Sequence, residues 1–365
     1  MAKIKEITSY IEELAPLAYA ESFDNVGLLV GNQQTEVTGV LVALDTLENV
    51  VDEAIEKKCN LIVSFHPIVF SGLKKFNGNN YVERVVMKAI KNDIAIYAIH
   101  TALDNSFQGV SAKMCEVLGL KNCKVLIPQK NNIKKLLTYV PIENANRLRK
   151  ALFAQGAGNI GNYDSCSFNV EGFGTYRGNE NSNPSIGEKG ELHSEKEMII
   201  GIIFEKHLER NILKALFDNH PYEEVAYEIT TLENKHQHIG MGMVGEFEKE
   251  MTEMEFLQYT KRVMNTNCIR HSKLTNKMIK KVAVLGGSGS FATENAKNAG
   301  ADAFISADFK YHEFYKAENQ LLITDVGHYE SEQFTKNLLV DYLTKKFTNF
   351  AIVLSDKNTN PIYYI

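Results

Sequence analysis

Leu321-Leu-Ile-Thr-Asp-Val326, followed at once by Gly327-His328-Tyr329-Glu330-Ser331-Glu332, decides how this chain is read. The first run is apolar and predicts a buried strand. The second opens a helical pattern over residues 333–347, the longest expected in the chain, with Phe334, Leu338, Leu339 and Leu343 at helical spacing. Residues four apart on a helix share a face, so His328 and Glu332 can address one point. That point lies beyond a strand end and at a helix start, where ligands bind in open α/β sheets. An imidazole and a carboxylate there are ligand types for borderline divalent metals. An acidic first turn favourable to the helix dipole explains the same residues without a metal.

The remainder of the chain has the same texture at both ends. Residues 4–14 predict an amphipathic helix, and 26–30, 39–44, 61–64 and 94–99 predict short apolar strands, with helices at 47–58 and 81–91. In the last third, 282–285, 303–306 and 321–326 predict strands and 292–299 a helix. Continuous apolar strands alternating with helices imply sheets covered on both faces. The expected fold class is α/β: two related α/β halves, residues 1–127 and 239–365, forming one discontinuous domain around a cleft. Residues 128–238 differ. A polar linker at 128–135 precedes a strand-helix-strand-strand-helix-strand order, the ferredoxin-like pattern of a small α+β domain inserted through a loop. A Gly-, Asn- and Ser-rich loop spans 177–197.

Four candidate ligands end strands of the main domain: His66, Asp104, His328 and Glu332. Singly each reads as structural, but their recurrence at carboxyl ends favours a metal site for zinc, iron or manganese, with one or two ions per chain. His100 is either a group that orients a ligand or a core imidazole. Asp308 and Lys310 are either a substrate-facing pair or a solvated turn. Gly286-Gly-Ser-Gly-Ser290 lacks the lysine and the spacing of phosphate-binding loops, so a tight turn is the better reading. His220-Pro-Tyr-Glu-Glu224 looks chemical, yet capping accounts for it. No catalytic residue is assignable from the pattern.

Composition bounds the rest. With 365 residues, 44% hydrophobic and 23% charged, the chain is an ordinary globular protein of two or three domains. A net charge of −5 offers no basic face for nucleic acid, and no apolar run reaches the length of a membrane span. The first residues run straight into an amphipathic helix and do not read as a signal peptide. Five dispersed cysteines without a CxxC pair suit reduced thiols, hence a cytoplasmic location.

Several of these segments together, Glu21-Ser-Phe-Asp-Asn-Val-Gly-Leu-Leu-Val-Gly31, Ser64-Phe-His-Pro67, His100-Thr-Ala-Leu-Asp104, Val284-Leu-Gly-Gly-Ser-Gly-Ser290 and Asp325-Val-Gly-His-Tyr-Glu-Ser-Glu332, resemble the GTP cyclohydrolase 1 type 2 homologues, the NIF-three-like family. The resemblance covers the whole chain, and the middle segment is similar to the PII- or CutA-like insert of the longer members. It implies a dinuclear metal centre between two α/β halves and a ring-shaped homohexamer. The family's first metal motif is usually His-His-Pro; here Phe65-His66-Pro67 stands in its place. The phenylalanine leaves one ion weakly held or recruits another ligand such as His100. Two functions follow as expectations. One is a metal-dependent hydrolase in which activated water attacks a nucleotide ring or a phosphoester. The alternative is a non-catalytic, metal-binding oligomeric scaffold or regulator whose insert senses a small molecule.

Overall fold

A computed structural model describes residues 2–365, which fold as two compact units: the chain up to Pro128 together with His238–Ile365, and Gln129–Gln237.

The first unit contains two sheets. One has the strand order Gly27–Val30, Ala95–Ala98, Leu61–Ser64, Gly39–Ala43, Ala351–Leu354, and all neighbours are parallel except the first pair. Its strands are apolar on both sides because both sides are covered. Val40, Val42, Leu61 and Val63 pack with helix Ile4–Leu14 and with Leu339 and Leu343. Leu41, Ala43, Ile62 and Ile96 pack with helices Glu48–Glu56 and Tyr81–Lys91. The alternation of side chains along each strand therefore builds two cores. Each fully buried aliphatic side chain in them contributes about 1.5–3 kcal/mol.

The other sheet runs Arg270–His271, Leu322–Asp325, Ala303–Ala307, Met278–Ser288, Gly240–Thr252, Lys121–Pro128. Its Met278–Ser288, Ala303–Ala307 and Leu322–Asp325 strands are parallel, and the remaining pairs are antiparallel. Helices Val110–Leu118 and Glu253–Val263 cover one face through Met114, Leu118, Phe256 and Leu257. The sheets share chain from both ends: Ala351–Leu354 pairs with Gly39–Ala43, and Lys121–Pro128 pairs with Gly240–Thr252.

Some local expectations are corrected. The helix expected over 333–347 is confined to Thr335–Thr344, and the longest α-helix among the described residues is Ile142–Ala154. His328–Glu332 forms a separate short helix, and Gln333, whose side chain bonds the Met264 and Glu330 carbonyls, marks the break. Half of the polar stretch 128–135 is strand, since Pro128 ends Lys121–Pro128 and Ile133 opens Ile133–Pro141. Ladder pairing outweighs its lysines, and Lys134 pairs with Glu209. The loop after Arg177 stops at His193, where a charged run pairs with Gly172–Tyr176 as strand His193–Glu205.

The second unit places Ile133–Pro141, Ile142–Ala154, Phe168–Tyr176, His193–Glu205, Glu209–Asn219 and Tyr227–Leu232 in order. Its four strands form an antiparallel sheet in which Ile133–Pro141 and His193–Glu205 are central. Leu136, Val140, Ile200, Ile202 and Phe204 pack against Leu148, Leu152, Ile212 and Leu216 of the two helices.

Candidate metal centre

The three central parallel strands of each sheet end near one another. Gly39–Ala43 leads to Asp45, Leu61–Ser64 to His66, and Ala95–Ala98 to His100. In the other sheet, Met278–Ser288 carries Gly287, Ala303–Ala307 leads to Asp308, and Leu322–Asp325 to His328.

His66, His328 and Glu332 each offer one ligand atom, and these atoms all lie within 4.8 Å of one another. His66 Nε2 is 3.1 Å and His328 Nε2 3.3 Å from Glu332 Oε2. Those are ion-pair distances, yet Oε2 is buried and has no hydrogen-bond partner, so neither ring is aligned to donate to it. An oxygen left in this way beside two ring nitrogens fits a cation that all three would share.

The far side of each ring is also organised. His66 Nδ1 lies 2.8 Å from Asp45 Oδ1, and the second Asp45 oxygen accepts from Thr359 Oγ1 at 2.6 Å. His328 Nδ1 lies 2.7 Å from Asp308 Oδ2, which also accepts from Ser288 Oγ. A carboxylate at Nδ1 fixes the tautomer that presents an Nε2 lone pair, the usual support of a metal-binding histidine. His100 is built alike, with Nδ1 2.9 Å from Asp24 Oδ1. Its ring centroid is 5.2 Å from that of His66, but it is outside the converging trio.

Electrostatics report the same crowding. Burial opposes a charged His66, but the Asp45 and Glu332 carboxylates outweigh it and carry its pKa up to about 10. Burial likewise opposes His328, and Asp308 with Glu332 carries it up to about 11. Burial alone would raise Glu332; the two imidazoles hold it down at about 2. Asp104 is pushed well above the usual carboxylate range, first by burial and then by the Glu332 charge. A buried carboxyl that feels the Glu332 charge belongs to a place that a cation would neutralise.

The backbone is shaped for this packing. Gly287 has φ +66, and a Cβ there would overlap the Glu332 carboxylate. Its N–H donates to Ser331 Oγ at 2.8 Å, so the glycine-rich segment serves close approach to Glu332. His100 and Asp308 adopt φ of +27 and +57, the left-handed side of backbone space that His and Asp tolerate better than most side chains.

Of the residues singled out from sequence, the fold brings together His66, His328 and Glu332, with Asp104 close enough to feel their charges. Asp308 holds His328 and His100 stands beside His66. Lys310 is exposed, its N–H bonds Glu313, and among the described residues no hydrogen bond or ion pair ties it to the group. Phe65 is fully buried in the core, its ring 4.9 Å from His66 and 5.6 Å from His100. Sequence reasoning missed Asp45 and Asp24 as partners. The available signal was Asp45 at a strand end and Asp24 in the polar turn before Gly27.

The sequence profile of the family described as Duf34/NIF3 (NGG1p interacting factor 3) matches residues 2–361. A Bacillus subtilis (strain 168) protein named GTP cyclohydrolase 1 type 2 homolog is 37% identical over 371 residues, covering 99% of this chain and 98% of that protein. A protein of the same name from Halalkalibacterium halodurans is 35% identical, with full coverage of both. Among solved structures, a Bacillus cereus protein related to NIF3 matches with TM-score 0.85 and 36% identity, over 100% of this chain and 99% of that one. A Staphylococcus aureus protein matches with TM-score 0.80 and 30% identity, over 100% and 99%.

Proposed function

The chain belongs to the Duf34/NIF3 family, and from that premise we propose that its α/β unit binds a first-row divalent cation and hydrolyses a nucleotide or another phosphoester. The observation that carries the reading is the convergence of His66 Nε2, His328 Nε2 and an unsatisfied Glu332 oxygen, with both Nδ1 atoms already tied to carboxylates. Asp104 lies outside the converging trio and on this reading is available to a second ion. A divalent ion there would supply Lewis-acid polarisation of a phosphoryl or carbonyl oxygen and activation of water. The chain's own groups position the rest. Asp45 and Asp308 hold the rings in one tautomer, and His100, fixed by Asp24, edges the site. Phe70, half exposed, lies 6.4 Å from the His100 ring and 6.4 Å from the exposed Phe23. The half-exposed Phe70 ring offers an apolar face on which a purine can stack. The name carried by the curated relatives, GTP cyclohydrolase 1 type 2 homolog, supports a nucleotide substrate.

On the same footing, residues 129–237 are read as a PII/CutA-like insert, supported by their strand-helix-strand-strand-helix-strand order. The family resemblance supports a homohexamer, for which light scattering should give six times the chain mass. The functional test is chromatographic. Metal-loaded protein should convert GTP or cleave bis(4-nitrophenyl) phosphate, and the His328→Ala variant should not. Metal-loaded protein that turns over neither compound would leave a metal-binding protein without this activity.

A further inference from the structure

Within the second unit, a cavity of about 690 Å³ opens beside the face of the sheet that the helices leave uncovered. Tyr139, Glu197 and Ile199 alternate with the core residues Val140, Met198 and Ile200, so they stand on that other face. The cavity exists because Phe168–Tyr176 is glycine-bearing here. Gly172 pairs with Glu197, and a Cβ on Gly172 would meet nothing within 4 Å. Two residues on, Gly174 makes room for the Glu197 carboxylate itself, which a Cβ there would overlap.

Glu197 is the unusual group. Its residue is 7% exposed, and one oxygen accepts from Tyr222 Oη at 2.7 Å. Among the described residues no lysine, arginine or histidine lies within ion-pair distance of it. A buried carboxylate without a cation is costly to keep in a fold. The walls are aromatic: Tyr139, Tyr176 and Tyr222 line the space, with the Tyr176 and Tyr222 rings meeting edge to face at 5.7 Å. Glu223 and Glu224 add carboxylates to the lining against the single guanidinium of Arg177. His220, singled out from sequence, holds this corner by bonding the Tyr139 carbonyl at 2.9 Å and receiving the Tyr222 N–H at 3.1 Å.

We infer that this cavity is a binding site for a small organic cation, an amidinium, guanidinium or protonated amine on a flat body, whose charged end pairs with Glu197 between aromatic walls. A carboxylate supplies charge-assisted hydrogen bonds to such a group, and the ring faces supply cation–π attraction. The site stands apart from the metal reading and does not depend on it.

The probe is benzamidine, with benzoate as the anion of the same shape, titrated into the full chain by calorimetry and ligand-observed NMR. Benzamidine should bind and benzoate should not. Glu197→Gln should weaken benzamidine about tenfold or more, the range for losing a hydrogen bond to a charged group. Gly172→Leu fills open space while leaving Glu197 intact, and should abolish binding with the fold unchanged by circular dichroism. Three results would overturn the inference: no benzamidine binding up to its solubility limit, equal binding of benzoate, or undiminished benzamidine affinity in Gly172→Leu.

Discussion

Asp45→Ala tests whether the carboxylates behind the imidazoles set the affinity of the centre. Asp45 Oδ1 lies 2.8 Å from His66 Nδ1, and its other oxygen is anchored by Thr359 at 2.6 Å, so the ring it holds has one orientation. Removing such a support lowers metal affinity roughly 10–100-fold, or about 1.4–2.7 kcal/mol. The upper end applies to Asp45→Ala, which frees the ring to rotate. Asp45→Asn keeps an acceptor at Nδ1, loses only basicity, and belongs at the lower end. Asp308→Ala should also weaken binding, but by less, because His328 and Asp308 side chains are 37% and 43% exposed and water can replace the lost acceptor. Asp24→Ala is the internal control. It loosens His100, which lies outside the converging trio, and should change affinity by less than about threefold. The assay is competition of Zn²⁺ and Mn²⁺ against a chelating dye, with all four variants compared at one pH. An unchanged Asp45→Ala, or an Asp24→Ala that loses as much as Asp45→Ala, would refute the assignment of His66 rather than His100 to the tight position.

Three further outcomes are expected. Glu332→Gln removes the negative charge shared by both rings and should abolish the metal-induced rise in Tm; in the unaltered protein, metal at a hundred times Kd adds about 2.7 kcal/mol. For a unit of this size that is about 5–10 °C by calorimetry, lost again with chelator; an unchanged rise in the variant would remove Glu332 from the ligand set. Phe65→His places a polar ring in a fully buried position and should destabilise the metal-free protein by about 1–3 kcal/mol, while raising the number of ions bound per chain, measured by elemental analysis after desalting. An unchanged stoichiometry would show that position 65 serves only the core. Replacing residues 129–237 with a short Gly/Ser turn should leave a folded, metal-binding protein, because Gly240 already sits opposite Pro128 in an antiparallel ladder and the cut ends are neighbours. Loss of the metal-dependent Tm rise across several linker lengths would count against it.

What the sequence made legible is what short-range pattern can carry. His328 and Glu332 were visible because four residues of helix put them on one face, and His66 because a proline follows it at a strand end. Their supports were not. Asp45 reaches His66 across 21 residues and Asp24 reaches His100 across 76, distances bridged only when strands pair, parallel in the first case and antiparallel in the second. The strand Ala351–Leu354 was missed although Asn349 and Ser355-Asp356 flank it, because a run of four residues, partly exposed at a sheet edge, is short for a pattern reading. That strand completes the sheet of the N-terminal residues, which no local pattern announces.

The two sheets present the same construction twice, and this explains the departure at Phe65. In each, three parallel strands follow one another in the chain and lie side by side, and the third leads into a five-residue helix that begins with histidine and ends with a carboxylate, His100–Asp104 and His328–Glu332; the first sheet adds Ala351–Leu354 as a fourth parallel strand. In the second copy, the neighbouring strand ends in Asp308, which holds His328. In the first, the corresponding strand ends in Phe65-His66, so Asp24 from a distant turn holds His100 instead, and His66 reaches across to Glu332. The Glu332 end therefore gathers two imidazoles and a carboxylate. The Asp104 end has a carboxyl, one imidazole at its edge and the buried phenyl ring of Phe65. A cation at the first end meets a complete set of side-chain donors; a second cation would have to draw on His100, Asp104 and solvent. Unequal ends follow from one residue in an otherwise repeated frame, which is the question that Phe65→His probes.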